Sequence, residues 1–424
     1  MKNTLLKILS ACALLLFSAL AYSQSAAEIL EGSWSGKLSV AGADLTIVFN
    51  FTLGEEGKLA ATLDSPDQGA EGIEAEVLGT SPMLRIEVPS LSASYSGVLY
   101  RGQIVGTFSQ NGLSLPLTLS RGVPELRRPQ TPEPPFPYAT EDVSFTDEAA
   151  GAVLAGTLCW PEGYDPSSGG EVPAAVVMVS GSGLQNRDEE IFGHKPFLVI
   201  ADCLARAGIA SLRYDDRGVG GSVGGDTENA TTEDFMQDAL AAVEFLRSSG
   251  RFASIGVIGH SEGATIAFML GARGAVDFVV SMAAPGVRGD KALTAQVNRI
   301  MELSGQPGMV SEEMYRQNVK LEGNPWLRWF IDYDPSDDIS GTSCPVMAVC
   351  GSKDCQVISS LNLGAIRARL PENGQNFIKE YDSLNHLFQH CTTGATSEYR
   401  SIEETISPEF LSDLVGWISR NFLK

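Results

Sequence analysis

The pentapeptide Gly259-His260-Ser261-Glu262-Gly263 has the form G-x-S-x-G. With 44 glycines in 424 residues the pattern arises easily by chance, so its neighbours decide its weight. It directly follows an apolar run at 255–258 that reads as a strand, and it opens a run at 264–272 made of good helix formers. A serine on so sharp a strand-to-helix turn is held in strained backbone with its hydroxyl exposed, and the flanking glycines let chain segments pass closely. The bland alternative is a glycine-bordered helix start with an N-cap serine. A serine hydroxyl becomes a nucleophile only beside a base, and the chain has four histidines. His260 adjoins the serine and is expected to be turned elsewhere, while His194 lies well before it. In this chemistry the acid and then the histidine follow the serine along the chain, which leaves His386 and His390. His386, in the loop after a strand ending at Tyr381, is the preferred base. The expected acid is Asp354, at the end of the strand 345–350, with Asp337, Asp338 and Asp382 as competitors that suit a solvated loop or a turn cap. Acyl transfer also needs donors aimed at a developing oxyanion. The amide of Glu262 is one, and the loop Ser180-Gly181-Ser182-Gly183-Leu184-Gln185 supplies the other, from Ser182 first and Gly183 second.

Other chemistries lack their signatures. Gly181-Ser182-Gly183 and the glycines at 218–225 miss the spacing of a dinucleotide fingerprint, and no G-K-[ST] phosphate loop exists. His386 and His390 stand four apart, but Leu387 occupies the place of a metalloprotease glutamate, so no metal site and no cofactor are expected. A net charge of −22 with no basic patch argues against nucleic acid and anionic membrane surfaces and leaves a small molecule as the partner.

The elements that must carry these residues fall into two textures. Residues 29–122 hold short alternating runs bounded by Gly, Ser, Asp and Asn. Leu45, Ile47, Phe49 and Phe51 share one face, and similar runs recur near 84–88, 103–108 and 114–119. They predict a small antiparallel β domain, a sandwich or a barrel. Six prolines between Val123 and Tyr138 predict a stiff extended connector over 123–137. From 138 to 424, apolar strands at 174–179, 209–214, 254–258, 278–282, 346–350 and 376–381 alternate with helical periodicity, which predicts a mostly parallel sheet covered on both faces. The stretch 286–342 reads as an insertion with helices near 292–304 and 311–321. Its Trp326, Trp329, Phe330 and Tyr333 could roof a small pocket or simply anchor the insertion. At the N-terminus, Lys2 and Lys7, an apolar run and Ala19-Leu20-Ala21 predict a cleaved export signal over 1–21, too short to span a membrane, and hence a periplasmic or extracellular protein. Cys12 lies before the apolar region and so makes a poor lipidation box.

Taken together, Ser180 to Glu189, Phe192-Gly193-His194-Lys195-Pro196-Phe197, Arg213-Tyr214-Asp215-Asp216-Arg217-Gly218-Val219-Gly220, the elbow, Gly351-Ser352-Lys353-Asp354 and Asn385-His386-Leu387-Phe388 resemble the α/β-hydrolase superfamily. The closer resemblance is to bacterial serine carboxylesterases related to dienelactone hydrolases, in a group with a β domain ahead of the catalytic one. Leu184 and Asn186 depart from that group's usual Pro and Asp. The resemblance implies a triad of Ser261, Asp354 and His386 and an exported hydrolase of carboxylic esters, with short acyl chains expected from the aromatic insertion. A peptidase or aminopeptidase of the same fold, and a carbohydrate-binding protein on an inactive scaffold, are the competing readings. If the acid and base loops meet, Cys355 and Cys391 are placed to form a disulfide between them.

Overall fold

The structure, a computed structural model, describes residues 26–40, 43–54, 57–68, 70–80, 83–123 and 126–423. The expected export signal and Cys12 lie outside the described residues. The chain divides into one compact unit up to Glu125 and a second from Leu126 onward.

The first unit begins with a short helix α1 (Ala26–Leu30). Eight antiparallel strands follow: β1 (Gly32–Val40), β2 (Ala43–Leu53), β3 (Leu59–Ser65), β4 (Ala70–Gly79), β5 (Leu84–Val88), β6 (Ala93–Tyr100), β7 (Gln103–Gln110) and β8 (Leu113–Arg121). They pair in chain order, and β1 also meets β8 at Ser35 and Ser120, so the sheet is a closed barrel. The alternation read in β2 is real, because Ile47, Phe49 and Phe51 are buried in the interior with Trp34, Leu63, Ile86, Tyr95, Ile104 and Leu119. Strand β4 escapes sequence reading. Its glutamate-rich residues are at most half-buried, and pairing with β3 and β5 holds it rather than an apolar face.

The second unit opens on residues 126–138, most of the stretch 123–137 that the sequence predicts as a stiff extended connector. Here they form a strap held to their own unit. The Arg128 guanidinium donates to the carbonyl oxygens of Phe192, Arg400 and Ile402, and the Gln130 side-chain amide donates to that of Ile406.

Then come β9 (Thr140–Asp147), β10 (Ala152–Cys159), β11 (Val172–Val179), α2 (Pro196–Arg206), β12 (Ala210–Tyr214), the two-residue β13 (Val223–Gly224) and α3 (Thr232–Ser248). After them run β14 (Phe252–His260), α4 (Glu262–Ala272), β15 (Phe278–Met282), α5 (Gly289–Leu303), α6 (Glu312–Glu322), α7 (Pro325–Phe330) and α8 (Ser336–Gly341). The chain ends with β16 (Val346–Gly351), α9 (Ser359–Arg369), β17 (Phe377–Tyr381) and α10 (Pro408–Phe422). The sheet order is β13-β10-β12-β11-β14-β15-β16-β17, with β9 also paired to β10. From β12 to β17 all pairs are parallel, while β9, β10 and β13 are antiparallel. Strands β12, β15 and β16 are buried at every residue, as strands covered on both faces must be. The edge strand β17 carries Lys379, paired with Glu409 and Asp413 of α10, a charge that discourages further pairing.

Strand order reverses at β11, so the carboxyl ends of β11 and β14 lie at a switch point, the place where open α/β sheets bind ligands. The insertion between β15 and β16 consists of α5 to α8, so its two expected helices are joined by two short ones.

A buried histidine ties the loop before α2 to the segment after β17. His194 Nδ1 lies 2.9 Å from Thr405 Oγ1, and its Nε2 lies 3.0 Å from the Gln389 side-chain amide nitrogen, a donor, and 3.2 Å from the Tyr399 carbonyl oxygen, an acceptor. Burial first, and then the charge of Arg128, lowers this histidine to about 4. The folded protein therefore takes up this proton later than the unfolded chain, so the stabilisation is complete above pH 6.5 and is lost as pH falls through 4. We expect urea unfolding to show a loss of about 3 kcal/mol between pH 7 and pH 4 from this group. In His194→Gln the pH dependence should flatten by that amount. An unchanged slope in the variant would assign the acid sensitivity elsewhere.

Candidate active site

Ser261 joins β14 to α4 with φ 54° and ψ −114°, a conformation that residues with a Cβ rarely adopt. Two glycines make the turn possible. A Cβ on Gly259 would lie 2.0 Å from the Gly263 carbonyl oxygen, and one on Gly263 would lie 2.1 Å from that of Val179, so strand, helix and β11 pass at backbone distance. The Ser261 amide donates to the Met282 carbonyl at 2.8 Å, which pins the turn to the end of β15. The serine is half-buried, and its hydroxyl makes no hydrogen bond to a described residue.

His386 stands in the loop after β17, and Asp354 in the turn after β16. Their side chains meet at 2.7 Å between Nδ1 and Oδ2. The other carboxylate oxygen of Asp354 accepts the amides of Gln356 and Val357, each at 2.8 Å, which fixes the acid in place. The histidine loop is a tight turn around Asn385, whose side-chain oxygen accepts the amides of Leu387 and Gln389 at 3.0 Å each. His390, the alternative base, is exposed and pairs with Glu404 instead. Among the competing acids, Asp338 accepts the Tyr333 hydroxyl in the insertion and Asp382 accepts the Ser352 hydroxyl. Asp337 sits in the first turn of α8. His386 comes close to the elbow through His260. The two rings have centroids 4.7 Å apart, and His260 Nε2 lies 3.0 Å from the His386 carbonyl oxygen.

Glu262 is the first residue of α4, so its amide has no intrahelical acceptor. In the loop after β11, a Cβ on Gly181 would lie 3.3 Å from the Ser261 Cβ, so the loop passes close to the elbow there. Its amide is already used, donating to Glu189 Oε1 at 2.8 Å. Next along the chain, Ser182 and Gly183 are exposed, and Gly183 sits at φ 94°. Buried carboxylates below hold the loop. Asp216 accepts the Gln185 amide at 2.8 Å and the Ser180 hydroxyl, and Asp215 takes the Arg187 amide and guanidinium. Burial raises Asp216 to about 7 even though the Gln185 amide and the Ser180 hydroxyl oppose the shift.

The four aromatics of the insertion separate. Trp326 reaches the elbow, its indole N–H donating to Glu262 Oε1 at 2.7 Å, and the same oxygen accepts the Thr232 hydroxyl at 2.6 Å. Burial raises the Glu262 carboxyl, against bonds from Thr232, Trp326 and the Ser182 side chain. Phe330 is buried and stacks on Trp326 at 5.1 Å, while Trp329 and Tyr333 stack on each other at 4.9 Å and pack against the core. Those three seat the insertion, and only Trp326 contacts the elbow.

The disulfide expectation is overturned, because Cys355 and Cys391 are both free thiols. The acid and base loops do meet, but Lys353 joins them. Its ammonium donates to the carbonyls of Cys391 and Thr392 at 3.2 and 2.8 Å, and its amide donates to that of Leu384 at 2.9 Å. Cys391 points its thiol instead at the Ser383 carbonyl. Among the described residues, no group of three or more His, Cys, Asp or Glu is placed to hold a metal ion. Sequence reading missed Glu189, Lys353 and the role of His260. A charged residue within a long family-like segment was the available signal for Glu189.

Residues 195–320 match the model of the family described as serine aminopeptidase, S33. Esterase EstD of Thermotoga maritima is 29% identical over 250 residues, which cover 55% of this chain and 58% of EstD, so the match spans less than two thirds of that relative. Among solved structures, Pyrococcus furiosus esterase Pf2001 superposes with a TM-score of 0.45 at 19% identity, over 70% of this chain and 99% of that one. Est1E of Butyrivibrio proteoclasticus, solved with ferulic acid bound, gives 0.47 at 17% identity over 66% and 99%. The mostly parallel sheet with reversed strand order and the serine elbow after β14 give the second unit an α/β-hydrolase fold, and the matched segment runs from α2 into α6.

Proposed function

We propose that the protein hydrolyses carboxylic esters through an acyl-enzyme. The observation that carries this reading is the 2.7 Å contact of His386 with Asp354, on the loops after the last two strands, beside a strained and half-exposed Ser261. Similarity to an esterase over 250 residues supports it. Ser261 Oγ attacks the acyl carbon while His386 Nε2 takes its proton, and the amides of Glu262 and Ser182, with Gly183 beside them, receive the oxyanion. As the ester bond breaks, His386 returns the proton to the leaving alcohol. Water then adds to the acyl carbon, giving a proton to His386, and the acid leaves as Ser261 recovers its hydrogen. Asp354 holds the Nδ1–H tautomer and balances the imidazolium. No step calls for a cofactor.

The N-terminal Lys2, Lys7 and Ala19-Leu20-Ala21 support export to the periplasm or beyond. Trp326, tied to Glu262, supports a short acyl pocket.

An aminopeptidase is the second reading, favoured by the description of the matched family. Parallel assays on p-nitrophenyl esters and aminoacyl p-nitroanilides separate the two. Turnover of anilides without turnover of esters would replace the first reading by the second.

In Ser261→Ala, ester turnover should fall at least about 10³-fold with the fold intact, because a half-exposed elbow serine contributes rate rather than packing. Full activity in the folded variant would remove Ser261 from the mechanism. Across p-nitrophenyl esters, acetate and butyrate should be cleaved faster than decanoate, and Trp326→Ala should narrow the difference. Faster cleavage of decanoate by the unaltered protein would reject the short pocket.

A further inference from the structure

The residue before the nucleophile is a buried histidine with two acceptors. His260 Nε2 lies 3.0 Å from the His386 carbonyl oxygen, and His260 Nδ1 lies 2.8 Å from Glu189 Oε1. A carbonyl oxygen only accepts, so Nε2 carries a proton. Glu189 Oε1 already accepts the Gly181 amide at 2.8 Å, as a carboxylate does, so Nδ1 donates to it as well. A ring that donates from both nitrogens is an imidazolium, and Glu189, itself buried, is its counter-ion. Burial alone disfavours the ring's charge, but the Glu189 charge and hydrogen bond and the His386 carbonyl outweigh it, leaving the ring more basic than an ordinary histidine.

The connections of this ion pair matter more than its charge. Through Glu189 it holds the amide of Gly181, which passes close to Ser261 on the loop that carries Ser182. Through the His260 backbone it is part of the elbow. Through Nε2 it holds the main chain of His386, whose ring Asp354 holds from the other side. Three segments that no sequence neighbourhood brings together, at 181–189, 260–261 and 386, thus share one pair of side chains. Both side chains are spoken for by these contacts, so their action on chemistry would run through the groups they place.

We propose that Glu189 and His260 are positioning residues, a buried carboxylate–imidazolium pair that sets the oxyanion loop and the base loop against the Ser261 elbow. The inference rests on the ester-hydrolase reading above. Chemical steps of this kind lose about 10²-fold when reacting groups shift by about 1 Å, whereas binding of a small ester depends little on such a shift.

The test uses the full chain and p-nitrophenyl acetate, with Ser261→Ala as reference. Glu189→Gln keeps the shape but removes the charge, so one side-chain oxygen no longer accepts from both an imidazolium and the Gly181 amide, and the side chain at 189 or the His386 carbonyl loses its hold on the ring or the loop. His260→Asn removes the bridge from the other side. In both, kcat should fall about 10²-fold with KM changed less than about threefold, and the double variant should be no worse than the singles, because one linkage is broken in each. Folded single variants with unchanged kcat, a loss confined to KM, or additive losses would overturn the proposal. The unaltered protein supplies a measurement that no folding defect can obscure. Labelled with ¹⁵N-histidine and titrated, it should show one histidine that keeps both ring nitrogens protonated to higher pH than a free histidine does, and a titration in which no ring does so would overturn the proposal. Should Ser261→Ala remain active, the ester-hydrolase reading itself fails. An inactive Ser261→Ala beside a fully active Glu189→Gln rejects the positioning pair alone.

Discussion

The turn at Ser261 is the constraint around which the second unit is arranged. A non-glycine residue at φ 54° and ψ −114° costs about 1–3 kcal/mol, and it persists only where the surroundings leave no alternative. Here they leave none. The end of β11, the end of β14 and the start of α4 approach to backbone contact at Gly259 and Gly263, and the Met282 carbonyl takes the turn's amide. The layers of parallel sheet and helix supply the packing that holds this strain, since β11 and α4 are buried almost throughout. A side chain at either glycine would push strand from helix and release the serine.

Around the turn, the buried carboxylates are hydrogen-bonded. Burying a charge is unfavourable unless it is paired and hydrogen-bonded, and the carboxylates near the elbow divide between those that have a cationic or histidine partner and those, such as Glu262 and Asp216, that burial pushes toward the neutral form. Glu189 faces an imidazole and an amide. Glu262 faces a hydroxyl and an indole, Asp215 a guanidinium, and Asp354 two amides and a histidine. Removing one member leaves its partner buried and unsatisfied, so these groups enforce one arrangement of loops that hydrophobic burial, being non-directional, would leave free. The most acidic feature of the composition is therefore only partly a surface property. The flanks of the nucleophile show this clearly, with His260 directed to the base loop and Glu262 to the insertion.

The strap at 126–138 and Lys353 show the same logic in main-chain terms. Both send cationic side chains to carbonyl oxygens of the loops that follow β17, where no strand or helix partner satisfies them. A disulfide would hold the same loops by a covalent bond. A lysine does so with hydrogen bonds to carbonyl oxygens, and the thiols of Cys355 and Cys391 are left to pack locally.

Sequence by itself determined the two-part architecture, the parallel sheet, the elbow, and the positions of Asp354 and His386 at the ends of their strands. Each of these is written locally, in runs of apolar residues closed by glycine or a turn, because strand periodicity and turn chemistry act over a few neighbouring residues. The barrel's closure was not legible, since strands such as β4 are held by pairing rather than by an apolar face. Nor were the partners of the elbow's flanking residues. Glu189 lies 71 positions from His260, and Trp326 lies 64 from Glu262. His260 read as a bystander because its ring has no local partner, and Trp329, Phe330 and Tyr333 read like Trp326 because aromatic residues in one short stretch of the chain look alike until packing distributes them. Hydrogen bonds between buried side chains require both groups to arrive at one point with defined angles, and only the folded chain, with its layers already in contact, specifies that point.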